Sequence, residues 1–209
     1  MNRPMLCGVV SGGLLVMVLV HGNSHTADHE RDWLQWRGPL GTGVAPEADP
    51  PVEWSETKNV RWKVALPGKG HSTPIVWGDR IFLTTAVPYG EALPPKRSTA
   101  PGTHDGVPVT QRHEFVVLAI NRRDGKILWQ KTVLKKLPHE GGHYTGSLAS
   151  SSPVTDGEHV FAFFGSHGLY CLDMNGNVKW QKQFGEMLTK HGHGESASPV
   201  LYGDMLFVN

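Results

Sequence analysis

The sequence predicts an all-β fold made of one repeated unit of four antiparallel strands, and three observations predict it. A short pattern recurs three times: Ser72-Thr73-Pro74-Ile75-Val76-Trp77-Gly78-Asp79, Ser151-Ser152-Pro153-Val154-Thr155-Asp156-Gly157-Glu158 and Ala197-Ser198-Pro199-Val200-Leu201-Tyr202-Gly203-Asp204. Each copy places Gly four residues after Pro, an acidic residue next, and Phe eight after Pro, at Phe82, Phe161 and Phe207. A Trp-centred pattern alternates with it, in Val60-Arg61-Trp62-Lys63, Ile127-Leu128-Trp129-Gln130-Lys131 and Val178-Lys179-Trp180-Gln181-Lys182. Finally, Asp124-Gly125 and Asn175-Gly176 are strong hairpin signals, because two-residue turns need positive φ. Self-similarity at a spacing of tens of residues means an array of one supersecondary unit.

The elements follow in order. Arg3 and the apolar run Met5 to Val20, with polar residues from His21 onward, have the layout of a secretory signal peptide. Residues 1–27 are therefore expected to be a signal peptide, and the protein to be exported, periplasmic or secreted. An uncleaved anchor is the alternative, and it would be the chain's one attachment to a membrane. Removal of the leader takes Cys7 with it and leaves Cys171 as the sole cysteine, inside an apolar strand pattern, as a small buried hydrophobe.

Residues 28–58 are a Pro- and Gly-containing lead-in, with Trp33 and Trp36 expected to pack against the domain. Residues 59–209 are the repeat domain. Val60, Trp62, Val64 and Leu66 alternate with polar or small residues, the period of a strand with one dry face. Val178, Trp180 and Phe184 do the same. Ile81 to Leu83, Phe115 to Ile120 and Val160 to Phe164 are apolar on both faces, as central strands covered on both sides are. In each unit, strand one holds the Ser-x-Pro-Val and strand two the Phe. Strand three is Val116 to Asn121 or Leu169 to Asp173, and strand four holds the Trp. No segment has a helical period.

Such a unit is the blade of a β-propeller. Pro153 and Pro199 stand 46 residues apart, about one blade. Pro74 and Pro153 stand 79 apart; the excess is a Pro-rich insertion at roughly 87–113, between strands two and three of the first blade. The chain thus spans about two blades and part of a third, and reads as an incomplete ring cut within the third blade.

Lys+Arg number 20 and Asp+Glu 19, so the chain lacks the basic excess of a nucleic-acid binder. Alternation of strand direction places the connections two-to-three and four-to-one at one end. His104, His113, His167, His71, His139, His143, His191 and His193 all fall in them, eight of the twelve histidines. Neutral imidazole is the commonest metal ligand. His71, His143, His191 and His193, nearest the innermost strands, are the candidate metal ligands. No nucleophile is assigned: Gly194-Glu195-Ser196-Ala197-Ser198 lacks the final Gly and the strand-to-helix elbow of a hydrolase motif.

Ala119-x-Asn121-x-x-Asp124-Gly125-x-x-x-Trp129 resembles the tryptophan-docking motif of PQQ-like propellers, and Cys171-x-Asp173-x-x-Gly176-x-x-x-Trp180 resembles a copy one residue shorter. The resemblance covers about residues 59–209. It implies that Trp129 and Trp180, and Trp62 with them, dock between neighbouring blades. The family includes quinoprotein alcohol dehydrogenases, which hold PQQ beside calcium, and a non-catalytic propeller lipoprotein of outer-membrane assembly. The expected function is therefore a binding or scaffolding module that takes a protein or small-molecule ligand at its loop-bearing face. The alternative is a periplasmic quinoprotein oxidoreductase using PQQ and calcium, with residues beyond position 209.

Overall fold

The computed structural model describes the backbone of residues 16–19 and the whole of residues 32–209. The signal-peptide reading falls otherwise outside the described residues. Strand β1 (Val16–Leu19) pairs antiparallel with a strand at the far end of the sequence, Met205–Val208.

The first blade has β2 (Ile75–Trp77), β3 (Arg80–Tyr89), β5 (Arg112–Asn121) and β6 (Ile127–Lys136), in that spatial order. Between β3 and β5 lies the insertion, whose β4 (Gly106–Val107) pairs with β7 (Gly142–His143) of the connection to the second blade. The second blade has β8 (Val154–Thr155), β9 (His159–Phe163), β10 (Leu169–Asp173) and β11 (Val178–Lys182), again in order. A third sheet has β12 (Val200–Tyr202) and β13 (Met205–Val208), with β1 beside β13. The fold is all-β, a set of antiparallel blades that do not close into a ring among the described residues.

The repeated sequence pattern has a physical cause at the inner strands. The Ser152 hydroxyl accepts the backbone N–H of Thr73 at 2.8 Å, and the Ser198 hydroxyl accepts that of Ser152 at 2.9 Å. The bonded residues are 79 and 46 positions apart, the spacings of the repeat itself. The Ser before Pro thus satisfies an inner-strand donor of the preceding blade that no ladder partner reaches.

The apolar faces pack blade on blade. Ile75, Phe82, Phe115, Val117 and Ala119 of the first blade meet Val160, Ala162, Tyr170 and Leu172 of the second. Val154, Phe161, Phe163, Leu169 and Cys171 meet Leu206 and Val208 of the third sheet. Leu83, Val116, Leu118 and Ile120 cover the other side of the first blade with Trp62 and Val64. Each central strand is dry on both faces, as its composition requires. Cys171 is buried and free, and burial pushes its thiol up to about 12, so it serves as a hydrophobe.

The docking tryptophans join consecutive blades. The Trp62 indole N–H donates to Arg122 O and the Trp129 indole N–H to Met174 O, both at 2.9 Å. Each ring lies over the glycine of a turn, Trp62 over Gly125 and Trp129 over Gly176. A Cβ on Gly176 would stand 2.8 Å from the Trp129 ring, and its φ of +84° is itself left-handed, so glycine is required twice over. Trp180 packs on Phe161 in its own blade, with ring centroids 5.9 Å apart.

Three sequence expectations shift. Residues 60–66 form no strand: Trp62 and Val64 pack on the first blade while Val60 and Leu66 stay exposed. The insertion is shorter than read, because β3 and β5 run out to Tyr89 and Arg112, leaving His113 in a strand. Of the two lead-in tryptophans, Trp33 exchanges backbone bonds with Val76, whereas Trp36 is 55% exposed under the Arg37 guanidinium.

Candidate functional site at the loop-bearing face

The expectation that the histidines gather at one end rests on strand direction, and the contacts bear out its main part. Three glycine-rich segments meet there: residues 102–107 of the insertion, 139–147 after β6, and 189–195 after β11. The β4–β7 pairing joins the first two, and His143 N–H donates to His193 O at 3.0 Å to join the last two.

His104, His143, His191 and His193 form one cluster. Ring centroids are 5.0 Å apart for His104–His191, 4.8 Å for His104–His193, 5.6 Å for His191–His193 and 5.0 Å for His143–His193. Three of the four candidate ligands therefore converge, and His104 joins them. His71 is exposed, held by its backbone N–H to Ala149 O and the Ser147 hydroxyl, and its ring takes no part in these ring contacts. The rings meet edge to face or tilted. Among the described residues no group of three or more His, Cys, Asp or Glu could hold a metal ion, so the convergence of His143, His191 and His193 does not make them the ligand set expected from the sequence.

A second group lies deeper, between the blades. His167 stacks on Phe115 at 4.3 Å and lies 5.5 Å from His139. Burial drives the His167 imidazole down to about 4, so it is neutral near pH 7. Glu195 accepts the backbone N–H and hydroxyl of Ser166, yet burial raises its carboxyl above the usual range. Glu140, 4% exposed, accepts from the hydroxyls of Ser98 and Thr189, one in the insertion and one after β11. These carboxylates act as hydrogen-bond hubs that tie three segments together. The cavity beside them, about 20 Å³, has room for one water at most, near the unpartnered His139 Nδ1 and His167 Nε2.

Outward from both groups opens a pocket of about 480 Å³. Ala86, Pro88, Val107, Val109 and Leu148 supply apolar walls, and Lys69, His113, His143 and Tyr144 supply polar edges. Tyr144 is 62% exposed and Val107 50%. A cavity of about 540 Å³ lies among Trp33, Leu40, Pro46 and Arg122 of the lead-in and first turn. Sequence reasoning missed His104 as a cluster member, and missed Tyr144 and Val107. The available signal was the glycine flanking of all three segments, at Gly102, Gly106, Gly141, Gly142, Gly192 and Gly194.

The pocket does not suit PQQ held beside calcium. Calcium takes 6–8 oxygen ligands, mostly carboxylate, and no Asp or Glu lines this pocket. Residues 113–209 match the family model described as outer membrane protein assembly factor BamB, a PQQ-like repeat. No curated protein matches the chain.

Proposed function

Because the chain is a protein of PQQ-like β-propeller repeats, we propose that it is a binding or scaffolding module whose loop-bearing face docks a partly apolar ligand, a protein segment or a small molecule. One observation carries this reading: the 480 Å³ pocket at that face, with its exposed Tyr144 and Val107. Its volume falls within the range of about 300–1,000 Å³ usual for ligand sites. Its walls come from four separate stretches, around residues 68–69, 86–88, 107–113 and 141–148, which are joined by the β3–β5 and β4–β7 pairings and the Lys69–Ala86 backbone bonds, so the pocket is not formed by one loop alone. The family's description as an assembly factor supports a scaffolding role over catalysis.

The experiment is titration of the full chain with an anilinonaphthalene sulfonate dye, followed by fluorescence. Saturable binding is expected, at least tenfold weaker in Val107→Asp, which puts a charge on the apolar wall. Equal binding in the variant would remove the pocket from the proposal. Export belongs to the same reading and rests on the apolar run Met5 to Val20. Fusion of residues 1–27 to a reporter that matures only outside the cytoplasm is expected to give an active reporter; an inactive, cytoplasmic one would refute export.

A further inference from the structure

The pocket at the loop-bearing face is charged in one sense only. Its lining includes one ammonium, Lys69, and two imidazoles, His113 and His143, and not one carboxylate. The cavity of the lead-in differs: Asp32, Glu47 and Arg122 give it both signs. Burial lowers the His113 imidazole from 6.5 despite its contact with Gln111 O, so that ring is neutral near pH 7 and Lys69 supplies the full positive charge. His143 Nδ1 accepts the N–H of Thr145 at 3.4 Å, so in the neutral ring the proton sits on Nε2, a second donor at this wall.

Lys69 is held in place by its neighbours. Its backbone exchanges two bonds with Ala86 of β3, each 3.0 Å. On either side only glycine fits against that strand. A Cβ on Gly68 would stand 2.3 Å from Ala86 O, and one on Gly70 would stand 2.3 Å from Thr84 O. Gly68 also has a φ of +71°, the left-handed region that favours glycine. Gly68-Lys69-Gly70 thus lies close against β3, and the lysine is its one side chain. Its ammonium donates to Tyr144 O at 3.2 Å, and both residues line the pocket. An ammonium has three donors; this bond takes one and leaves two for a ligand.

We propose that the pocket takes a small amphipathic monoanion, an alkyl or aryl carboxylate, with its apolar body against Ala86, Val107, Val109 and Leu148 and its carboxylate on Lys69. This rests on the docking reading and names the ligand class for it. Three features favour that occupant. One anchored cation matches one anionic head. A volume of about 480 Å³ suits a single drug-sized molecule. Apolar walls beside the ammonium lower the local dielectric, which strengthens its attraction for a carboxylate. A neutral or cationic ligand of the same shape would leave the ammonium without a counter-charge.

The test is displacement of Nile red, an uncharged dye, from the full chain by octanoate, octanol and octyltrimethylammonium, which share a chain length and differ in head group. Octanoate is expected to displace the dye at a concentration at least tenfold lower than octanol, with octyltrimethylammonium the weakest. Added salt is expected to shrink that preference in the parent protein, because it screens an exposed charge. Lys69→Met is expected to bring octanoate and octanol within twofold of each other while the dye binds as before, and Lys69→Arg to keep the preference. Circular dichroism of each variant confirms the fold. Equal displacement by octanoate and octanol in the parent, or a preference that survives in Lys69→Met, would overturn the inference. An apolar peptide with a free C-terminal carboxylate that displaces the dye tenfold better than octanoate would also overturn it, and would assign the pocket to a chain end. Dye that fails to saturate, or that binds Val107→Asp as well as the parent, ends the docking reading itself. Dye that saturates and is lost in Val107→Asp, with octanoate no better than octanol, ends the ligand class alone.

Discussion

The first and second blades share one strand order but differ in reach. Strands β3, β5 and β6 have 10 residues each, whereas β9, β10 and β11 have five. At the turn end the two blades match closely, with the same Ser, Phe and Gly positions. At the loop-bearing end the first blade runs on, and its extra length carries the insertion and His113. The second blade closes early with the single turn Gly165–His167, whose buried His167 lies against Phe115 of the longer neighbour. The inequality creates the site: a long blade beside a short one leaves a step, and the insertion folds over it. The repeated features make the scaffold, and the features that depart from the repeat make the face.

The comparison predicts where substitutions are felt. The largest effect is expected for Trp129→Ala, which empties the joint between the two blades. It should cost about 3 kcal/mol in urea unfolding, whereas Trp36→Ala, at an exposed tryptophan, should stay within about 0.5 kcal/mol. Equal costs would mean that the indole of Trp129 does not lock the blades. Next come the glycines. Gly176→Ala combines a left-handed backbone with a clash against Trp129 and should cost about 2 kcal/mol. Gly78 also has positive φ, at +54°, but open space around it, so Gly78→Ala isolates the backbone part and should cost less. A reversed order would break the claim that turn and tryptophan fit as one unit.

The smallest expected effect sharpens the contrast between equivalent turns. Asn121 Oδ1 in the first blade and Asp173 Oδ1 in the second each accept the N–H two residues on. Asp173 also accepts from the Asn177 side chain and from its backbone N–H, and these bonds, the side-chain one foremost, hold its carboxyl below the ordinary 3.8. A depressed folded pKa gives stability that is fully present above about pH 4 and is lost as pH falls through the folded value. Urea midpoints measured between pH 6 and pH 3 should therefore decline less in Asp173→Asn than in the parent. Parallel curves would show that this turn contributes nothing to acid sensitivity.

Much of this was legible before any coordinates. The Ser-Pro spacings of 79 and 46 reappear as the hydrogen bonds from Thr73 to Ser152 and from Ser152 to Ser198. The doubly apolar runs became doubly covered strands. The glycine turns proved to be seats for Trp62 and Trp129. These readings succeed because a repeat forces each residue type into the same local environment every time, so periodicity alone reports it.

The face was legible only as a location. Strand direction placed the histidines at one end, yet it ranked His71 with His143, His191 and His193, and it did not select His104. A hydrogen-bonded ladder fixes direction and register over short range, so sequence determines which end a loop occupies. Where a loop goes from there depends on contacts between residues far apart in the chain. His104 reaches His193 because Glu140 takes hydroxyls from both Ser98 and Thr189, and because β4 finds β7. By itself the sequence determined the blades, their joints and the end that bears the loops. Only the tertiary structure decided which side chains share a point in space, because that follows from packing and hydrogen bonding across the chain and not from any period along it.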